Sequence, residues 1–399
     1  MGYIQEFCEN LGVAHQIYTY EEQRSNIIIR IGKQCDDNLI ILGHLDVVCA
    51  KAEDWTQDPL GAELVDGYIY GRGALDMKYF IATSMVVMRE LKEIEETLDR
   101  GITFIFAADE ERGSSFGMQR LLQEEGIAEE LRGKIVLNEG GGFSVPYQGT
   151  CPYLFETGQK SVCRLRVTIP EEAYADPYFP TLTHEATLVQ VLKNLEQIII
   201  DDQIPKTSER LMERFSDHQS TGDPFLSKLL RTMSSSIISP TLIHGGARNK
   251  TTGPHIRGTI DFDCRLLPGI TQETFIEKVE LSLQDLPVVI NVESFTEGYE
   301  ADVDKKIITL MRESLQKFDP TITDLVPFIT PGSNDGKFLK PLGCEVLGFA
   351  PLHRDDTFTS ILPLIHGIDE RISTKSVSFC EKVLHEVCIN YLIGDKYIG

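Results

Sequence analysis

Four clusters of carboxylates and histidine follow apolar or glycine-rich runs in this sequence. The clusters are His44 with Asp46, Asp76, the run Asp109-Glu110-Glu111, and Glu139. Charged groups at the ends of buried strands cost free energy unless they are paired or bound to a cation. Ligands of open α/β sheets sit where several strands end together. The pattern therefore predicts an enzyme built around metal ions.

Each cluster also has a purely structural interpretation. His44 and Asp46 lie two residues apart, so on an extended chain both side chains share one side. The imidazole could bind a metal while the carboxylate orients it, or the two could form only a structural hydrogen bond. Asp76 follows a turn that Gly71 and Gly73 allow, and it could equally cap the next helix.

Three adjacent carboxylates at 109–111 repel one another unless a cation is present. Because neighbouring residues point in different directions, Glu111 could bind metal while Glu110 faces a bound water. A solvated acidic turn is the alternative. Glu139 also ends an apolar run and precedes three glycines. Catalytic zinc takes histidine and carboxylate ligands and keeps one position for water.

The first 150 residues alternate between strand-like apolar runs and segments with helical spacing. We predict strands at 26–31, 39–42, 102–108 and 134–137 and helices at 78–94 and 117–125. Such alternation is typical of an α/β sheet covered by helices on both faces. The carboxylate and histidine clusters follow the strands, where ligands of such sheets bind.

A different pattern begins near residue 160. We predict, in order, a strand at 162–169, a helix at 185–198, strands at 241–243 and 259–266, a helix at 272–283 and a strand at 288–292. This order is that of a ferredoxin-like α+β sandwich. Helices at 305–317, 337–342 and from 374, with a strand at 345–348, then resume the α/β pattern. We therefore predict a catalytic domain of residues 1–159 and 298–399, interrupted by a smaller domain of residues 160–297.

The composition excludes several partners. The chain has 399 residues and a net charge of −23, so nucleic acids and anionic membranes would repel it. Its nine cysteines form no C-x-x-C pair, and the odd number favours a reducing compartment over a disulfide framework. The N-terminus lacks the pattern of a secretory signal, and no apolar run reaches transmembrane length. We expect a cytoplasmic protein.

Taken in order, the motifs resemble a family of co-catalytic zinc metallopeptidases. This family includes aminoacylases, acetylornithine deacetylase, succinyl-diaminopimelate desuccinylase, carnosinase-like dipeptidases and glutamate carboxypeptidases. The motifs are Gly43-His44-Leu45-Asp46, Gly71-Arg72-Gly73 with Asp76, Asp109-Glu110-Glu111, Asn138-Glu139-Gly140-Gly141, Gly245-Gly246 with Asn249, Arg265-Leu266-Leu267-Pro268-Gly269, Gly332-Ser333-Asn334-Asp335 and His366-Gly367-Ile368-Asp369-Glu370. The resemblance implies a zinc-exopeptidase-like α/β/α domain with an inserted ferredoxin-like lid and dimerisation domain, and hence a homodimer.

The resemblance also implies the roles of single residues. Two divalent ions, zinc or alternatively cobalt or manganese, would be bound by His44 and Glu139, by Glu111 and His366, and by Asp76 as the bridge. Asp46 would orient His44, and Glu110 would be the general base. Asn249, Arg265 and the backbone of Gly332 and Ser333 would contact the substrate, a small peptide or an N-acyl amino acid.

The sequence departs from the family pattern at three points. Cys49 stands where proline is usual, and Glu156-Thr157-Gly158 replaces a Glu-Lys-Gly triplet. The family's lid histidine, which reaches the partner's active site in dimers, has no counterpart between Val162 and Thr183. His184 and His244 are possible substitutes.

These observations leave three functions open. The first is a dipeptidase or carboxypeptidase that hydrolyses an amide bond beside a free carboxylate. The second is an N-acyl-amino-acid deacylase with the same machinery. The third is a non-catalytic relative that retains metal. Glu110 argues against this third function, because a non-catalytic protein does not need a general base.

Overall fold

The computed structural model describes residues 1–170, 184–198, 200, 204–215, 224–244, 258–302 and 306–394. The strands in these residues are β1 (Ala14–Glu21), β2 (Arg24–Ile31), β3 (Leu39–His44), β4 (Glu63–Val65), β5 (Tyr68–Tyr70), β6 (Ile102–Ala107), β7 (Ile135–Asn138), β8 (Phe143–Ser144), β9 (Cys151–Gln159), β10 (Ser161–Ile169), β11 (Ile237–His244), β12 (Gly258–Leu266), β13 (Val289–Thr296), β14 (Tyr299–Glu300), β15 (Ile322–Thr330), β16 (Glu345–Gly348) and β17 (Arg371–Ser373). The helices are α1 (Gly2–Leu11), α2 (Tyr79–Glu93), α3 (Met118–Leu121), α4 (Ile127–Leu131), α5 (His184–Glu196), α6 (Lys206–Arg214), α7 (Pro224–Ser234), α8 (Gln272–Leu283), α9 (Lys306–Phe318), α10 (Gly336–Leu339), α11 (Phe358–Ile361) and α12 (Thr374–Leu392).

A large mixed sheet carries most of the predicted site residues at one edge. Its strand order is β1-β2-β6-β3-β7-β16-β9-β14, and β8 and β15 also pair with β9. Strands β6, β3, β7 and β16 are mutually parallel. Their carboxyl ends therefore meet at the same edge, where His44 ends β3 and Glu139 follows β7.

Both faces of this sheet are covered. Alternate residues of β3 point into two different cores, with Ile41 in one and Ile40 and Leu42 in the other. The first core is closed by α2, α9 and α12, and the second by α3 and α4. Every residue of β3 and β6 is buried, as expected for strands between two helical layers. The predicted α/β/α fold class is confirmed.

A second, four-stranded antiparallel sheet has the order β11-β12-β10-β13. Alternate residues of β10 are buried against α5 and α8 in a separate core. The chain order of strand, helix, two strands, helix and strand confirms the predicted ferredoxin-like arrangement. Strand β11 forms one edge of this sheet, and Leu242 and Ile243 on it are exposed.

Helices α6 and α7 were not predicted and lie between α5 and β11 in the chain. Their buried residues Leu211, Leu230 and Met233 belong to the core of the large sheet, not to that of the small one. Both helices contact β15. The segment therefore connects the inserted part of the chain with the large sheet.

Several predicted bounds differ from the structure. The helix predicted at 117–125 is limited to α3, which ends at Leu121. A second short helix, α4, begins after Gly126, whose φ of 82° favours glycine. The helix predicted at 337–342 is α10 continued by a 3-10 turn at Lys340–Leu342. The strand predicted at 241–243 is longer, because β11 begins at Ile237. Among the described residues, no helix is long and apolar enough to cross a membrane.

Candidate active site

A first triad of potential ligand atoms lies at the ends of β3 and β7. The buried His44 places Nε2 at 3.1 Å from Asp76 Oδ1 and at 3.5 Å from Glu139 Oε2. Its Nδ1 lies 3.0 Å from the backbone oxygen of Asp46 and 3.6 Å from Asp46 Oδ1. These contacts turn Nε2 towards the two other carboxylates.

A second triad shares Asp76 with the first. His366 Nε2 lies 3.1 Å from Asp76 Oδ2 and 3.0 Å from Glu111 Oε1. One carboxylate of Asp76 thus faces a different histidine with each oxygen. Within each triad the candidate ligand atoms all lie within 4.8 Å of one another. The structure brings together all five residues that the resemblance implies as ligands; their role as ligands remains a prediction.

Asp46 holds the acidic turn beside the triads. Its two carboxylate oxygens accept hydrogen bonds from the backbone N–H groups of Glu110 at 3.0 Å and Glu111 at 3.1 Å. Asp109, at φ 66°, is buried and accepts from the N–H of Phe116 at 3.1 Å. Arg24 pairs with the other oxygen of Asp109 at 3.0 Å. The turn at 109–111 is therefore held by Asp46 on one side and by Arg24 and the N–H group of Phe116 on the other.

A buried ion pair that sequence reasoning missed joins the two parts of the chain that carry Asp76 and His366. Arg72 Nη1 donates to Glu370 Oε2 at 2.6 Å, and Arg72 Nη2 donates to the backbone oxygen of Gly367 at 2.9 Å. Glu370 Oε1 accepts from the N–H of Asp76 at 3.0 Å. Arg72 belongs to the motif Gly71-Arg72-Gly73 and Glu370 to the motif His366–Glu370, but nothing in the sequence indicates that the two side chains form an ion pair.

The electrostatics of the protein groups favour a bound cation. Burial and the carboxylates of Glu139 and Asp335 raise the pKa of Glu110 to about 9. Burial also raises the pKa of Glu111 and of Glu139. The two triads together contain three carboxylates, Asp76, Glu111 and Glu139, and only two histidines, so the carboxylates repel one another unless further positive charge is present. Imidazole nitrogens and carboxylate oxygens suit zinc and other divalent transition metals, so the donor set fits a pair of such ions.

The pKa values of the two histidines are also raised, which favours their charged form. Hydrogen bonding to Asp76 and the charge of Glu111 raise the pKa of His366 to about 9. Burial lowers the pKa of His44, but Glu139, Asp46 and Asp76 outweigh burial and hold it well above its usual value. The same contacts from His366 and His44 lower the pKa of Asp76 despite its burial. The carboxylates of the triads therefore favour positive charge at both histidines.

A cavity of about 400 Å³ opens beside the triads. Asp76, Glu110, Glu111, Glu139 and His366 line one part of it. Glu156 and Asn334 also line the cavity. Asn334 Nδ2 donates a hydrogen bond to Glu156 Oε1 at 3.0 Å. The sequence alone did not assign either residue a role. The rest of the cavity wall is mainly apolar.

The predicted substrate residues are only partly brought to this cavity. Gly332 and Ser333 line it. Arg265 donates to the backbone oxygen of Pro331 at 3.0 Å and pairs with Asp263 at 2.8 Å. The Gly245-Gly246 pair and Asn249 lie outside the described residues, and of His184 only the backbone is described. His244 ends β11 and is exposed.

Comparison with known proteins gives one family model that matches residues 40–390, that of peptidase family M20/M25/M40. The human N-fatty-acyl-amino acid synthase/hydrolase is 25% identical, with 88% of this chain and 73% of that protein covered. Succinyl-diaminopimelate desuccinylase of Sulfurimonas denitrificans is 26% identical, covering 88% of this chain and 82% of the enzyme. Aminoacylase-1 of Sus scrofa is 25% identical, covering 84% and 75%.

Two solved structures share the fold. An M20 family metallo-carboxypeptidase from Sulfolobus solfataricus superposes with a TM-score of 0.69 at 18% identity, covering 98% of this chain and 93% of that one. The dipeptidase Dug1p from Saccharomyces cerevisiae gives a TM-score of 0.66 at 17% identity, covering 98% and 89%. Both likenesses extend over the large and the small sheet.

Proposed function

Because the chain belongs to peptidase family M20/M25/M40, we propose that it is a metal-dependent hydrolase of an amide bond beside a free carboxylate. A dipeptidase or carboxypeptidase activity is the first candidate, and N-acyl-amino-acid deacylation is the alternative. The observation that carries the proposal is the pair of triads sharing Asp76, with Glu110 lining the same cavity. Relatives named as aminoacylase and desuccinylase support the same reaction class.

Two divalent ions, zinc or alternatively cobalt or manganese, would be held by His44 and Glu139 on one side and by Glu111 and His366 on the other. Asp76 would contact both, since each of its oxygens faces one histidine. Such ions act as Lewis acids on the scissile carbonyl and lower the pKa of water towards about 7. Asp46 would keep His44 in the orientation that points Nε2 at the metal.

Glu110 would act as the general base. Its carboxylate lies on the cavity wall next to Glu111, and the backbone contact with Asp46 fixes its position. It would accept a proton from the attacking water and later deliver it to the nitrogen of the leaving amine. Positive charge nearby would lower its pKa from the raised value that the protein groups alone produce. The Gly332 and Ser333 backbone, with Arg265 and Asn249, would contact the substrate.

The test is hydrolysis by the purified protein after loading with zinc, cobalt or manganese. A panel of dipeptides and N-acyl amino acids should contain at least one substrate. Glu110→Gln should abolish turnover while metal content stays near two ions per chain, because that residue is not a ligand. The conservative Glu125→Gln variant, at an exposed position after α3, serves as the control and should change neither.

The possible results separate the candidate functions. Turnover of dipeptides favours the peptidase, and turnover of N-acyl amino acids alone favours the deacylase. Full metal loading without turnover of any panel member would support a non-catalytic metal-binding relative. If Glu110→Gln loses metal, Glu110 is a ligand and its assignment as base is wrong.

We further propose the division into a catalytic domain (1–159 and 298–399) and a lid (160–297), a homodimer, and a cytoplasmic location. The separate core of the small sheet supports the division. Helices α6 and α7 lie within the proposed lid in sequence but pack on the large sheet, and so connect the two parts. The exposed β11 edge, with Leu242 and Ile243, offers a surface on which a second copy could pair. All nine cysteines are free thiols, which suits a reducing compartment. Light scattering of the purified protein tests the dimer.

A further inference from the structure

The cavity beside the triads has an apolar wall that the proposed chemistry does not use. Side chains from β8, α7, β15 and the segment from α11 to Ile365 form this wall. Those that matter here are Phe143, Leu229, Met233, Phe328, Phe358 and Ile365. The cavity volume of about 400 Å³ lies within the range of about 300–1,000 Å³ that is typical of small-molecule sites.

Aromatic rings make one side of this wall rigid. Phe143 and Phe358 stack with centroids 5.2 Å apart, and Phe328 lies 6.2 Å from Phe358. All three side chains are at least 92% buried, and the stacked arrangement leaves them few alternative rotamers. The wall is therefore present before a substrate arrives.

The opposite side of the wall comes from α7. Leu229 and Met233 lie one turn apart on this helix, so they share a face, and both line the cavity. Leu230 on the same helix is buried in the core of the large sheet. Because α7 is anchored on β15, its cavity-facing residues hold a fixed position relative to Phe328.

Of the described side chains that line the cavity, only His366 of the second triad can carry a positive charge. Glu110, Glu111, Glu139 and Glu156 line it, and among the described residues no lysine or arginine does. A carboxylate on a group that enters the apolar part of the cavity would lose its hydration without meeting a lysine or arginine of the lining.

We propose that this cavity receives an uncharged apolar group of the substrate, either an alkyl or aryl acyl group or a large apolar side chain, next to the scissile amide. It would reject groups that carry a carboxylate, such as succinyl. This inference rests on the proposed function and adds the substrate class to it. This preference would distinguish the chain from succinyl-diaminopimelate desuccinylase, although that enzyme and the aminoacylase are about equally similar to the chain in sequence.

Two substrate series test the inference. The first keeps one amino acid and varies the acyl group through acetyl, butanoyl, hexanoyl, octanoyl and succinyl. The second keeps acetyl and varies the amino acid through glycine, alanine, leucine, phenylalanine and aspartate. In one of the two series the varied group enters the cavity, and in that series kcat/KM should rise about fourfold for each buried methylene. The kcat/KM of the member with the added carboxylate, succinyl or aspartate, should be at least a hundredfold lower than that of its apolar counterpart.

Substitution of the wall gives the second arm. Leu229 is only half-buried, so Leu229→Arg should fold, remove the apolar preference and improve kcat/KM for the succinyl or aspartyl substrate. Leu281→Arg, at an exposed position of α8, is the matched control and should leave both series unchanged. If Leu229→Arg does not fold, Leu229→Ser should reduce the apolar preference in the same direction.

The outcomes distinguish this inference from the proposed function. Hydrolysis that is flat across both apolar series, or that prefers succinyl, would overturn the apolar cavity while leaving the hydrolase intact. If nothing is hydrolysed, calorimetry of the metal-loaded protein with the octanoyl and succinyl compounds decides instead. Tighter binding of the octanoyl compound would support the cavity, and equal or weaker binding would refute it.

Discussion

At the scale of single residues, three adjacent carboxylates have three different surroundings. Asp109 is buried and bound to Arg24 and to the N–H of Phe116. Glu110 faces the cavity, and Glu111 reaches His366. The sequence predicts that neighbours in such a run point apart. It does not predict the structural role of Asp109, since the left-handed backbone and the approach of Arg24 come from the fold.

Asp46 provides a test at this scale. An asparagine at position 46 keeps the shape but replaces one of the two acceptors of the Glu110 and Glu111 N–H groups by an amide donor. We expect Asp46→Asn to weaken metal binding by about 10–100-fold, the usual effect of losing a group that orients a ligand. Competition with a chromophoric chelator measures this affinity. Asp58→Asn, at an exposed turn, is the control; an equal loss there would show that the effect is not local.

At the scale of elements, the predictable strands are those whose burial matches their apolarity. Strands β3 and β6 are continuous apolar runs, and their bounds were predicted within two residues. Strand β9 was missed, because it is buried along nearly its whole length and yet carries Glu156, Thr157 and Gln159. Those polar residues are satisfied by partners far along the chain, such as Asn334, which no local pattern shows.

The ion pair of Arg72 and Glu370 links two such distant segments and gives the second prediction. Glu370→Gln leaves the buried guanidinium without its carboxylate and weakens the acceptor of the Asp76 N–H. Removing one partner of a buried pair typically costs about 3–5 kcal/mol. We expect a loss of this order in the free energy of unfolding, measured by urea denaturation, together with a weaker site at His366.

The matched control for this pair is exposed on α4. Glu129 pairs with Arg132 at 3.2 Å, and both side chains are more than half exposed. Glu129→Gln should change the free energy of unfolding by less than about 0.5 kcal/mol. Equal losses for the two variants would mean that burial does not set the cost of breaking the Arg72–Glu370 pair.

At the scale of the whole molecule, the cavity combines segments that are far apart in sequence. Its acidic part comes from the ends of parallel strands, an arrangement that the α/β pattern predicts. Its apolar part depends on α7, which the chain order assigns to the inserted region but which packs on the large sheet. Amphipathic spacing identifies such a helix without indicating which of two cores it covers. The residues of the acidic part of the cavity were therefore predictable from the sequence, and those of its apolar part were not.

Folding stability as a function of pH tests how the molecule accommodates Glu156 in this cavity. Burial and the charge of Glu139 raise the pKa of Glu156 well above its ordinary value of 4.5, despite hydrogen bonds from Asn334 and Gln159. Above pH 4.5 the unfolded chain therefore releases a proton that the folded chain retains. The stability contributed by this group is complete below pH 4.5 and is lost as pH rises towards the folded pKa, by at most ~1.4 kcal/mol per pH unit.

Glutamine resembles the protonated carboxyl group and does not titrate. Glu156→Gln should therefore match the wild-type protein near pH 4.5 and become progressively more stable than it towards pH 8, as measured by urea denaturation at a series of pH values. The exposed Glu297→Gln should show no such trend. A difference between Glu156→Gln and wild type that stays constant with pH would mean that Glu156 ionises equally in the folded and unfolded protein. In that case its burial among Asn334, Gln159 and the apolar wall would impose no electrostatic cost.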